Sequence, residues 1–255
     1  MILVIAGTSD ARELAIEIDK QGYQLITSVV TENAAKSLTE ARLPVRVGRL
    51  AAIDMVDFIK EHQITLIVDA SHPFAEEASR NAIEAAERSD TPYIRYERKE
   101  ITSYDAIVTK VASYEEAADV ASNHQGVVML TTGSKTLPTF AQKLVGLEGV
   151  RFLARMLPRK DNLELCEQLG IEQKNIIAIQ GPFSKELNKA LYRQYGVTLM
   201  ITKESGKVGS VDEKVEAARE LGIPIVMIQR PRIGYGNVYS DIPQVVEQIK
   251  KIKKV

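Results

Sequence analysis

The stretch Met1-Ile2-Leu3-Val4-Ile5-Ala6-Gly7-Thr8-Ser9-Asp10 decides the fold when it is read with the helical pattern that follows it. Residues 1–6 are an unbroken apolar run of strand length, as expected of a strand covered on both faces. Gly7 and the hydroxyls of Thr8 and Ser9 end the run. Ala11, Leu14, Ala15 and Ile18 then recur at the spacing of one helix face, and Gly22 stands where a helix C-terminus favours glycine. A strand that passes through a glycine turn into a helix is the repeating piece of a parallel sheet with helices on both sides.

The same piece recurs along the chain. Strands are predicted at YQLITSVV (23–30), LPVRVG (43–48), TLIVDA (65–70) and PYIRYE (92–97). Met55, Val56 and Ile59 mark one intervening helix, and Ala75, Ala78, Ala82, Ala85 and Ala86 mark another. A second series opens with a helix around Tyr114, Ala117, Ala118 and Ala121. It continues through strands VVMLTT (127–132), VRFLAR (150–155), NIIAIQ (175–180), VTLMIT (197–202) and IPIVMIQ (223–229). Helices near 135–145, 160–169, 184–194 and 212–221 separate these strands, and a last helix carries Val245, Val246, Ile249 and Ile252. About eleven strands exceed what one open sheet usually holds. The chain is therefore read as α/β with two domains, each a mainly parallel sheet flanked by helices, and a crevice between them. The boundary is placed in the polar stretch ERKEITSYD, giving residues 1–103 and 104–255.

Of the 255 residues, 45% are hydrophobic and 26% charged, which excludes the disordered and membrane classes. Lys and Arg number 33 against 34 Asp and Glu, so a basic nucleic-acid coat is not expected, although a local basic pocket is compatible with this balance. The first apolar run has no basic segment before it and reads as a strand rather than a leader. No run approaches the roughly 20 residues of a membrane span, and a cytoplasmic protein is expected. Cys166 is the single cysteine, which excludes an intrachain disulfide and a cysteine-rich metal site. With Leu163 and Leu169 it suits one apolar helix face, as a packed thiol. HExxH, CxxC, Walker GKS/GKT and GxSxG patterns are all missing from the sequence, so no metal ligands are assigned.

Open α/β sheets bind ligands beyond the carboxyl ends of their strands, at helix N-termini. After the first strand, Gly7, Thr8, Ser9 and Asp10 suit the phosphates of a dinucleotide; the alternative is that Ser9 or Asp10 only caps the helix. Arg49, after the third strand, is placed to reach an adenosine phosphate or ribose, a solvated arginine being the alternative. After the fourth strand, Asp69-Ala70-Ser71-His72-Pro73-Phe74-Ala75 carries Ser71 and His72 on a loop stiffened by proline, where nucleotide-binding domains often meet nicotinamide. Ser71, Pro73 and Phe74 join the cofactor set. His72 is the candidate catalytic group, as acid or positioning group, against a structural hydrogen bond. His62 and His124 fall in helix ends and are expected to be exposed.

In the second series, five loops gather hydroxyls, glycines and cations at strand ends. They contribute Thr132, Gly133, Ser134 and Lys135; then Arg155; then Gln180 and Ser184; then Lys203, Glu204, Ser205 and Gly206; and lastly Arg230. Singly these are caps and turns, while together they make a wide anion-binding rim.

The segments GTSDAREL, DASHPFA, TTGSKTL, RMLP, QGPFS, TKESG followed by EKVEAARELGIP, and the Arg230-Pro231 pair resemble the precorrin-6A reductase family, in order and over nearly the whole chain. Two positions depart from that family's pattern: Ser71 stands where threonine is common, and Ser210 where a second glycine is expected. The resemblance implies two Rossmann-like domains with cofactor and substrate in the cleft. It also implies reduction of a ring double bond of precorrin-6A, or its cobalt form, in cobalamin biosynthesis. The partner it implies is a polycarboxylate tetrapyrrole, held by the loops of the second domain. The cofactor is NADPH or NADH, since Val30-Thr31-Glu32-Asn33 offers neither a clear ribose-binding acid nor an arginine for a 2′-phosphate. Two rival readings are a reductase of a smaller carboxylate substrate and a non-catalytic two-lobed ligand-binding protein.

Overall fold

Strand β1 (Ile2–Ile5) is apolar throughout because helices cover both of its faces. Ile2 and Val4 pack with Leu14 and Ile18 of α1 (Ser9–Lys20) and with Val245 and Ile249 of α10 (Ile242–Lys253). Leu3 and Ile5 pack with Met55 and Ile59 of α3 (Ala52–Glu61) and with Ala82 and Ala85 of α4 (Glu76–Arg88). Helix α1 buries the four residues that its spacing predicts, and Gly22 follows its C-cap at φ +82°. These contacts come from a computed structural model, which describes residues 1–99, 107–204 and 213–253.

The chain divides into two compact units, residues 1–99 with 231–255 and residues 100–230. In the first, β1 pairs with β2 (Leu25–Val29) and β4 (Leu66–Asp69), β2 with β3 (Val45–Val47), β4 with β5 (Tyr93–Tyr96), and β5 with β12 (Val238–Tyr239). The sheet order is β3-β2-β1-β4-β5-β12, all parallel, and α2 (Glu32–Glu40) joins β2 to β3. The second unit runs β6 (Val108–Val111), α5 (Tyr114–Ser122), β7 (Gly126–Leu130), α6 (Leu137–Leu144), β8 (Val150–Met156), α7 (Lys160–Gln168) and β9 (Ile176–Ala178). It continues with α8 (Lys185–Tyr195), β10 (Leu199–Lys203), α9 (Glu213–Glu220) and β11 (Ile225–Ile228). Its sheet order is β9-β8-β7-β10-β11-β6, again all parallel. Both units thus share the doubly wound order third-second-first-fourth-fifth, and in each a strand from outside the series fills the sixth place.

Ten predicted strands appear as such, and among the described residues one α-helix and two strands do not follow from the sequence reading: α2, β6 and β12. The expected boundary at 103/104 lies outside the described residues. The assignment of everything after it to one C-terminal domain needs correction, because residues 231–255 return to the first unit. The physical reason is burial: Val245 and Ile249 of α10 close the face of the first sheet that α1 only partly covers. A smaller correction concerns α7, which buries Asn162 and Cys166 while Leu163 is 44% exposed. Cys166 lies 3.6 Å from the Met156 sulfur, and burial pushes its thiol pKa up, as expected of a packed thiol.

Candidate active site

Gly7 leaves β1 at φ +148°, which side-chain-bearing residues rarely adopt. A Cβ built there meets nothing within 4 Å, so the backbone faces open space. Gly7 lines a cavity of about 500 Å³ together with Ser28, Val30, Arg49, Ser71 and His72. The cavity lies at the carboxyl ends of β1 to β4, beside the point where the strand order reverses between β1 and β4. The structure therefore gathers four predicted site residues, Gly7, Arg49, Ser71 and His72, around one space. Arg49 pairs with Glu77 at 3.0 Å, both exposed.

The other predicted cofactor residues have local partners. Thr8, rather than Ser9 or Asp10, caps α1 by accepting the Ala11 N–H at 3.3 Å. Asp10, in the first turn of α1, pairs with Arg98 at 2.7 Å. Ser9 begins the helix and is exposed, Pro73 is buried, and Phe74 donates its backbone N–H to Nδ1 of His72 at 3.1 Å. That bond leaves the ring proton of neutral His72 on Nε2. His62 and His124 are half-buried rather than exposed: His62 lies against Phe58 and His124 bonds Thr198.

Beneath the His72 loop lies a buried polar cluster. Asp69 accepts from the Ser71 N–H at 3.0 Å, Ser79 Oγ at 2.7 Å and the Tyr93 hydroxyl at 2.8 Å, and pairs with Arg95 at 2.9 Å. Both Asp69 and Arg95 are 0% exposed. Asp69 is therefore an anchor of its loop and not a group that faces a ligand. Burial, then the Asp69 carboxylate that it donates to, pushes the Tyr93 phenol far above its ordinary range, so it remains a donor. Burial works against the charge on Arg95, yet Asp69, Glu97 and the two nearby tyrosines together raise its pKa and keep it cationic. Arg95 is absent from the predicted site. A charged residue inside a strand with both faces covered was the available signal, since such a charge requires a partner.

In the second unit the predicted residues lie at the carboxyl ends of adjacent parallel strands, in the order β11, β10, β7, β8 and β9. Thr132 bonds Thr136 at 2.6 Å, Gly133 and Ser134 lead into a short 3-10 turn, and Lys135 is exposed. Lys203 lies 6.0 Å from the centroid of Tyr114. Its pKa is lowered by burial first, then by Lys214 and Lys135. Glu204 is buried, with Arg230 Nε 3.8 Å away. Arg155 is buried too, donates to Asn188 Oδ1 at 2.7 Å and stacks 4.7 Å from the Phe183 ring, so it is not an open rim cation. Gln180 is exposed, and Ser184 caps α8 by accepting from the Leu187 N–H at 3.1 Å. Ser205 and Gly206 lie outside the described residues. Tyr114 and Phe183, the rings beside two of these cations, are missing from the predicted set.

Residues 1–250 match the family described as precorrin-6x reductase CbiJ/CobK. The chain is 62% identical to a cobalt-precorrin-6A reductase of Priestia megaterium, covering 98% of each. It is 31% identical to a precorrin-6A reductase of Rhodococcus erythropolis, covering 90% of this chain and 89% of that one. A solved structure of CobK precorrin-6A reductase superposes with a TM-score of 0.82 at 24% identity, covering 98% of this chain and 96% of that one. The superposition bears on the fold, two Rossmann-like domains, each with a six-stranded parallel sheet. Among the described residues no helix is long and apolar enough to cross a membrane.

Proposed function

Because this chain belongs to the precorrin-6x reductase CbiJ/CobK family, we propose that it reduces a ring double bond of precorrin-6A, or of its cobalt-containing form, to the 6B product. The end-to-end match to a cobalt-precorrin-6A reductase carries this reading. When bound, reduced nicotinamide from NADPH or NADH supplies the hydride, and a proton completes the reduction.

The first unit fits such a cofactor. Gly7 has open space where a side chain would stand, the α1 N-terminus begins two residues later, and the cavity continues past Arg49 to His72. Among the described residues the Arg49 side chain is held by an exposed pair with Glu77, an interaction typically worth about 0–1 kcal/mol, and can exchange it for a ligand oxygen. His72, with its ring proton on Nε2, is proposed to donate or orient the proton at the reacting end. A corrin precursor carries acetate and propionate arms, and Lys135, Lys203 and Arg230 are proposed to recognise them. Binding these arms away from the reacting carbon orients the ring, which supplies much of the rate gain.

The test is to mix the protein with metal-free or cobalt-containing ring and each reduced cofactor, following cofactor oxidation. Ring-dependent oxidation supports the reading. Oxidation equally fast without the ring, or no oxidation with either ring form, rejects it.

A further inference from the structure

The loop that carries His72 stands on the buried polar cluster, in which Arg95 contacts Asp69, Ser71 and Glu97. Nη1 of Arg95 lies 2.9 Å from Asp69 Oδ1 and donates to Ser71 Oγ at 3.0 Å, while Nε donates to Glu97 Oε2 at 3.2 Å. Its guanidinium carbon sits 4.7 Å from the centre of the Tyr235 ring. Ser71 is bound at three points: its N–H to Asp69, its Oγ to Arg95, and the same oxygen 3.3 Å from Ser79 Oγ on α4. The cluster thus ties β4, β5, α4 and the segment before β12 to the residue next to His72.

We infer that Arg95 is a positioning residue, acting through Ser71 to fix the backbone that presents His72. The inference rests on reading the His72 loop as the reacting end of the cofactor site. Arg95 is completely buried and touches no ligand space, so its effect passes through Ser71. Only a planar fork can serve Asp69, Ser71 and Glu97 together; a lysine keeps the charge opposite Asp69 but cannot make all three contacts. Loss of the Ser71 bond frees the loop, and the Phe74 N–H to His72 Nδ1 bond that sets the imidazole tautomer loosens with it.

The experiment compares wild type, Arg95→Lys and Ser71→Ala by two readouts. The first is the long-range proton–nitrogen spectrum of His72 at about pH 9, well above the ordinary imidazole range. The second is kcat beside the cofactor dissociation constant. Wild type is expected to hold a single tautomer protonated at Nε2. Both variants are expected to give mixed tautomers and a kcat lower by about tenfold or more, and in Arg95→Lys, which lies outside the cavity, cofactor affinity is expected to stay within about twofold. A merely structural role lowers thermal stability and leaves tautomer and kcat in place, which overturns the inference. If Arg95→Lys does not fold, Ser71→Ala carries the same test, since it removes one oxygen and leaves the Asp69–Arg95 pair. Altered tautomers with no ring reduction even in wild type uphold the positioning and reject the reaction assigned to the site.

Discussion

Replacing Gly7 by valine places a branched side chain in the open space beside β1, at a backbone angle costing on the order of 1–3 kcal/mol. The variant is expected to fold and to lose cofactor affinity by about tenfold or more, as read by titration calorimetry beside a melting curve; unchanged affinity removes Gly7 from the cofactor site. In the second unit, Lys203 must be protonated to hold a carboxylate, and burial with two neighbouring lysines lowers its pKa. Ring binding is therefore present below that lowered pKa and lost as the pH rises through it, earlier than for an ordinary lysine. A plot of kcat/KM against pH is expected to fall on its alkaline side, and Lys203→Arg is expected to flatten the fall; superimposable profiles contradict the role. Arg155→Met, by contrast, is expected to lower the melting temperature more than it raises KM, because it leaves Asn188 without its buried donor. That Gly7, Arg49, Ser71 and His72 line one cavity was legible because all four follow strand ends on the same edge of the sheet. Arg155 is also at a strand end, yet its burial depends on Phe183 and Asn188, which no local spacing links to it.

At the level of elements, segments with a clear apolar run or apolar face were legible, and α2, β6 and β12 were not. Helix α2 buries only Ala35 and Leu38, too few positions to set a period. Strand β6 has one buried residue and β12 is two residues long, so neither buries enough side chains to mark a strand by its apolar pattern. Periodicity shows that residues 242–253 are helical but not which sheet they cover. That choice follows from the core, where Ile249 packs with Ile2 and Val4. Ile249→Ala is accordingly expected to cost about 2–5 kcal/mol. In hydrogen exchange it should speed the amides of β1 and β5 and leave those of β7 and β10 unchanged. Faster exchange in β7 and β10 instead would place α10 with the second unit.

For the molecule as a whole, two sheets of the same winding place two sets of loops at carboxyl strand ends, one around a cavity and one rich in cations. This duplication was legible as two series of alternating strands and helices. The return of residues 231–255 to the first unit was not, because it is decided by which exposed sheet face needs covering. The proposed activity belongs to this scale, because it concerns the reaction of the whole chain and not one residue or element. It is tested most directly by supplying reduced cofactor deuterated at the transferring position with precorrin-6A or its cobalt form, and weighing the ring after one turnover. The product is expected to gain one deuterium from the cofactor and one hydrogen from water. A ring of unchanged mass, or one that gains both atoms from water, contradicts reduction by hydride transfer in this protein.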